Sequence, residues 1–172
     1  MAPTSLDITA ADSKASGQST AAVNRDLATL RNALARFHSF EAANRVGGYT
    51  SLFDGKCFEA PGVGGMGLHY VNGSLVDATI ELERPEALLF EPGPGNAMVL
   101  VGVEYVIDPA TWDASNKARP QLFGREYSYN DVYGLYTLHV WTHKNNPSGT
   151  FEGWNPKVSC DNWLRAKAGS HH

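Results

Sequence analysis

Hydrophobic and polar positions follow two regimes along this chain. Between Thr20 and Val46 the apolar residues Val23, Leu27, Leu30, Leu34 and Phe37 recur at steps of 4, 3, 4 and 3. That spacing puts them on one stripe of a helix. Arg25, Arg31, Arg36 and Arg45 fall largely off the stripe, where a solvated face belongs. Ser19 or Thr20 can cap the start, and Gly47-Gly48 can end it, so the pattern predicts one long helix over 20–46. After Gly48 the helical period is lost. Leu68–Val71, Ala87–Glu91, Ala97–Ile107 and Leu135–His143 read as strands, and Pro92–Asn96 supplies a hairpin turn between the second and third. Residues 74–82 read as a short helix or turn. Residues 108–132 read as a long excursion, with a helical turn near 109–115, of the kind that covers sites. A helix followed by segregated antiparallel strands predicts an α+β fold. In it a long N-terminal helix packs by its stripe on a curved antiparallel β-sheet, whose closure into a barrel is left open.

Three polar residues interrupt the strands: His69 in GGMGLHYVN, Glu104 in LVGVEYVI and His139 in LYTLHVW. Burying an ionisable group is costly unless it is paired, hydrogen-bonded or bound to a metal. Strand alternation puts Val99, Val101, Val103, Tyr105 and Ile107 on one face and Leu100, Gly102, Glu104 and Val106 on the other. Thr137, His139, Trp141 and His143 share a face in the same way. Glu104 is therefore expected beside a space at Gly102, and His139 beside a wall formed by Trp141. Two imidazoles and a carboxylate suit a transition metal ion such as Zn, Cu, Fe or Mn. In that reading His69, Glu104 and His139 are ligands. His38, on the edge of the helix stripe, is the fourth candidate. Glu104 is either a ligand or a general base, and Glu104 and His139 are the candidate catalytic pair. Tyr70, Trp141 and Glu91 are candidates for contacting substrate. His143, beside Lys144-Asn145-Asn146, reads as solvated.

Other readings of the same residues are a metal-free acid/base site and a structural network, with Glu104 paired to Arg125, Arg119 or His139. A ligand- or carbohydrate-binding module is another, lined by Tyr70, Trp141, Trp154, Tyr127, Tyr129 and Tyr133. Neither H-E-x-x-H nor a G-x-S-x-G elbow occurs. GVGGMG lacks the Walker lysine and no helix pattern follows it, which argues against a phosphate loop.

With 172 residues, 42% of them hydrophobic and 19% charged, the chain reads as a single globular domain over 19–167. Residues 1–18 read as a flexible arm. Residues 168–172 read as the start of an expression tag, which leaves His38, His69, His139 and His143 as native histidines. A formal charge of -4, with no basic run, argues against nucleic acid or an anionic membrane as partner. The expected partner is a small-molecule or carbohydrate ligand. No apolar run approaches the length of a membrane helix. Cys57 and Cys160 are either two buried thiols or a bridge closing a loop of about 100 residues, and a bridge places the protein outside the cytosol.

GGMGLHYVN, PEALLFEP, LVGVEYVI, LHVWTHKNNPSGTFEGWNPKVSC and ARFHSFEAANRVGGY, spanning about Ala35 to Cys160, resemble a family of exported bacterial proteins with no established activity. His38, His69, Glu91, Glu104, His139, Cys57 and Cys160 occupy its motif positions. The resemblance implies export, to the periplasm or the medium, and the disulfide. It implies no reaction.

Overall fold

The computed structural model describes residues 18–170. All of the predicted arm except Gln18 lies outside them. The N-terminal helix forms where its stripe predicts, but in two pieces: α1 (Thr20–Leu34) and α2 (Phe40–Arg45), joined through a 3-10 turn at Ala35–Phe37. The Ser19 side chain accepts the Ala22 N–H and starts α1. Ser39 ends the continuity predicted to Val46. Its backbone is extended, with φ -80° and ψ 126°, and its hydroxyl accepts the Ala42 N–H as a second cap. A serine competes with the helix for backbone partners in this way. Leu27, Leu30, Leu34 and Phe37 are buried.

Eight strands follow: β1 (Ser51–Ala60), β2 (Gly64–Val71), β3 (Ala87–Pro92), β4 (Met98–Ile107), β5 (Gln121–Leu122), β6 (Arg125–Glu126), β7 (Ser128–Asn130) and β8 (Leu135–Val140). Two short helices, α3 (Pro109–Asp113) and α4 (Asp161–Gly169), complete the described chain. Six strands make one curled antiparallel sheet in the order β1-β2-β3-β4-β8-β7, and β5 and β6 form a separate hairpin. The fold is α+β, with the sheet curled into a half-barrel. Among the described residues no helix is long and apolar enough to cross a membrane.

The two faces of the sheet bury different things. Toward α1 lie Leu88, Phe90, Val103, Tyr105, Ile107, Leu138 and Val140 in the main core. A smaller cluster of Leu89, Val101, Trp141 and Val158 lies on the other face, beneath the segment 150–158. The glycine-rich approach to β2 serves that segment. Gly65 pairs with Asn155, and a Cβ on Gly64 would sit 2.4 Å from the Asn155 carbonyl oxygen. Cys57 and Cys160 are disulfide-bonded, with Cα atoms 5.9 Å apart, and fasten the end of the segment to β1.

Strand register shifts in three places among the described residues: between Phe58 and Glu59, where Met66 of β2 is the extra residue, and at two further bulges. Leu89 pairs with Gly102 but Phe90 pairs with Leu100, so β4 carries an extra residue. Leu100 thereby joins the main core and Val101 the smaller cluster, against simple alternation. The strand β1 was not legible at all. Leu52 pairs with Tyr70 and Cys57 with Leu68, so Phe53, Asp54, Gly55 and Lys56 bulge out opposite the single residue His69. Asp54 and Gly55 take the left-handed conformation there, with φ of 54° and 61°.

One buried carboxylate escaped the sequence reading. Glu86, on the α1 side, is buried and accepts the Val106 N–H at 3.0 Å. Burial pushes its carboxyl up to about 7, against the lowering effect of the Val106 N–H. The folded value exceeds the ordinary 4.5, so this contribution to stability is full below about 4.5 and is lost as pH rises through about 7. Urea denaturation at pH 5 and pH 8 is expected to show Glu86→Gln removing a loss of roughly 2–3 kcal/mol that the native chain suffers across that range. An unchanged pH slope would refute the assignment. Replacing both cysteines by serine is expected to cost up to about 4 kcal/mol, read as a lower Tm by calorimetry.

Candidate functional site

The site is built on the sheet face away from α1. The register aligns Val71, Ala87, Glu104 and His139 across β2, β3, β4 and β8. Glu104 and His139 are direct cross-strand neighbours, close enough for their side chains to meet. His69 sits two residues before Val71 on the same face of β2, with Leu89 between it and Gly102. Glu104 reaches it over Ala87, the small residue of the intervening strand. The result is a carboxylate between two imidazoles: His69 Nε2 lies 2.9 Å and His139 Nε2 3.4 Å from Glu104 Oε2. All three residues are buried or nearly so.

The electrostatics favour an ionised carboxylate. Burial alone would raise the Glu104 carboxyl, but the charges of His139 and His69, with hydrogen bonds from His69 and Thr137, outweigh it and hold the group near 2. Burial pushes the His139 imidazole down from its ordinary value, only partly countered by Glu104. Two ring nitrogens, His69 Nδ1 and His139 Nε2, are buried with no hydrogen-bond partner among the described residues. An unmet buried acceptor or donor costs roughly 1–3 kcal/mol, a cost both nitrogens carry here. The three residues can hold a metal ion, since one ligating atom from each lies within 4.8 Å of the others. Donors on a tetrahedral zinc stand about 3.3 Å apart, and the observed 2.9 and 3.4 Å bracket that spacing. The His69 ring is held by packing: Phe58 meets it edge-on at 4.9 Å.

The other predicted site residues lie elsewhere. His38 is exposed just after the 3-10 turn between α1 and α2, its Nδ1 2.6 Å from the Ala35 carbonyl oxygen, and does not join the group. Tyr70 faces the opposite way and packs with Phe40 and Phe90. Trp141 packs into the smaller core instead; it is buried with Leu89, Val101 and Val158, and its Nε1 donates to the Glu152 carbonyl. Glu91 clamps the C-terminal segment, accepting from Lys144 Nζ at 2.5 Å and from the Ser159 N–H at 2.8 Å. The expected space at Gly102 does not exist: a Cβ there would lie 2.6 Å from the Val140 carbonyl oxygen. Close approach of β8, not a ligand, explains that glycine. Neither arginine named as a partner for Glu104 forms an ion pair with it; among the described residues only the two histidines do. His143 is exposed, as its surroundings in the sequence led one to expect.

Space opens on the other side of Glu104. A cavity of about 340 Å³ descends to the group, lined by Phe53, Phe58, Val71, Val106, Leu135 and Trp154 among others. A larger, more polar groove of about 630 Å³, with Arg119, Arg125 and Tyr129 on its walls, meets it at His139. The cavity wall is closed where the β1 bulge meets the β7–β8 turn: Tyr133 Oη donates to Asp54 at 2.8 Å, and the Phe53 and Tyr133 rings stand 4.8 Å apart. Thr137 was legible from its shared parity with His139. Phe53, Phe58 and Ala87 were not, because their placement depends on the bulge and on the register of β3.

Compared with known proteins, the chain matches no family model, no curated protein and no solved structure. The site therefore rests on its own geometry. Because the folded carboxyl of Glu104 lies below its ordinary 4.5, its contribution is present above about 4.5 and lost as pH falls toward about 2. Glu104→Gln is expected to cost about 1–3 kcal/mol at pH 7, with the difference shrinking between pH 4.5 and 2. Chemical denaturation across that range tests this, and a pH-independent difference would contradict it.

Proposed function

We propose that this is an exported, transition-metal-dependent enzyme acting on an organic substrate, with His69, Glu104 and His139 holding the ion. The observation that carries the reading is the unpartnered Nε2 of His139 beside a buried carboxylate and a second imidazole, at the floor of a cavity. Two imidazoles and one carboxylate are a common catalytic donor set, and three protein ligands leave a position free for substrate. The metal would supply Lewis acidity at that position. The protein's own part is to orient: β2, β4 and β8 fix the three donors, Thr137 supports the Glu104 carboxylate, and the apolar walls limit water around it. Export is supported by the disulfide, which persists in oxidising compartments.

A second reading keeps the site metal-free. The 2.9 Å approach of His69 Nε2 to Glu104 Oε2 is a hydrogen-bond distance, and such a dyad can hold a proton for acid/base work. The two separate cleanly. A chain ending at Lys167, stripped with chelator and dialysed against zinc, is expected to retain about one ion per chain by mass spectrometry. A His69→Ala/His139→Ala variant is expected to retain close to none. Equal, near-zero retention by both would sink the metal reading and leave the dyad.

A further inference from the structure

The cavity above the His/Glu/His group has a chemistry of its own. Its volume is about 340 Å³. A cavity of about 150 Å³ suffices for benzene, so this one takes a molecule of one or two rings. Its walls are apolar nearly throughout, and no lysine or arginine lines it. The Phe53 and Phe58 rings stack at 6.0 Å with an interplanar angle of 17°, and Tyr133 meets Phe53 edge-on, giving one side an aromatic surface. Polar groups are concentrated at the floor, on Glu104, His69, His139 and Thr137, with Asn130 and Tyr133 higher up.

We propose that the cavity binds a neutral, mainly apolar ring compound carrying a single hydroxyl or N–H, which it presents to Glu104 and His139. The proposal deepens the functional reading above and rests on it in one respect only, that this group faces a ligand. The apolar walls reject a polyhydroxylated ligand, because its hydroxyls would be buried without partners. They reject an anion, because it would lose its hydration, find no lysine or arginine on the walls, and face the Glu104 carboxylate. A hydroxyl suits the unpartnered His139 Nε2 and the neighbouring Glu104 carboxylate together. It donates to the carboxylate and offers its oxygen toward the imidazole side, or toward a metal held there. A phenol or an indole has the right size and one such group.

The test is calorimetric titration of the chain with para-cresol, toluene, benzoate and glucose, after chelator treatment and again after loading with zinc. In the chelated protein para-cresol is expected to bind about tenfold or more tighter than toluene, the value of one hydrogen bond to a charged group. Benzoate and glucose are expected to give no heat of binding. Two variants locate the ligand. Val106→Phe fills the cavity from within, and Val132→Trp crowds its rim from a position 79% exposed, where folding is not at stake. Each is expected to weaken para-cresol at least about tenfold, equivalent to 1.4 kcal/mol. Each should leave zinc retention as in the native chain.

Failure of para-cresol to bind either form overturns the inference, as does tighter binding of benzoate or glucose by the chelated protein, or indifference to both substitutions. Zinc retention without cresol binding would overturn this inference alone. Cresol binding that both substitutions weaken, in a chain that retains no zinc, would overturn the metal reading and sustain this one.

Discussion

A carboxylate has been placed in the middle of a sheet face and covered. Taking such a charge out of water costs several kcal/mol unless the surroundings replace what water gave. Around Glu104 the replacement comes from His69 and His139, one on each side, with Thr137 in support. Much of the local architecture follows from that need. The strand between β2 and β4 carries alanine at position 87, so that a glutamate can reach across it. The register of β8 sets His139 directly opposite. The cover must leave room at this spot while shutting out water elsewhere. It does so by laying the segment 150–158 over the smaller core, with Trp154 of that segment lining the edge of the cavity.

The cover is held by polar contacts rather than by a helix. Asn146 donates to the Trp154 carbonyl, Asn155 to the Asn145 carbonyl, and Trp141 to the Glu152 carbonyl. Such side chains replace the ladder bonds that an irregular segment lacks. Gly64 and Gly65 let it lie flat on β2, and Glu91 and the disulfide fix its far end. Several residues that looked chemical in the sequence thus build the floor and frame of the site. Glu91 and Trp141 are the clearest cases. Glu91 in β3 and Trp141 just after β8 each tie down backbone on the covered face.

Sequence periodicity was a good guide where a local rule was obeyed. The leucine stripe of α1 and the runs of β3, β4 and β8 repeat at helix or strand spacing, and the three odd polar residues in the apolar runs came together. It failed where one residue changed the count. Ser39 split the helix by capping a second one, the extra residue near Val101 reversed parity in β4, and the bulge at 53–56 hid β1 entirely. Long-range contacts were out of reach for another reason. Nothing local says that Gly102 meets the backbone of β8 or that Glu91 meets Lys144, 53 residues away. His38 was recruited for want of other histidines, yet α1 packs on the opposite face, so no rotamer could bring it to Glu104.

The disulfide joins more than two distant points of the chain. Cys57 directly follows the bulge that forms the aromatic wall of the cavity, and Cys160 ends the segment that forms its opposite boundary. The bond therefore ties the two sides of the cavity to a common anchor. A single covalent bond between residues 103 apart in sequence thus gives the bulge of β1 and the covering segment one shared fixed point beside the cavity.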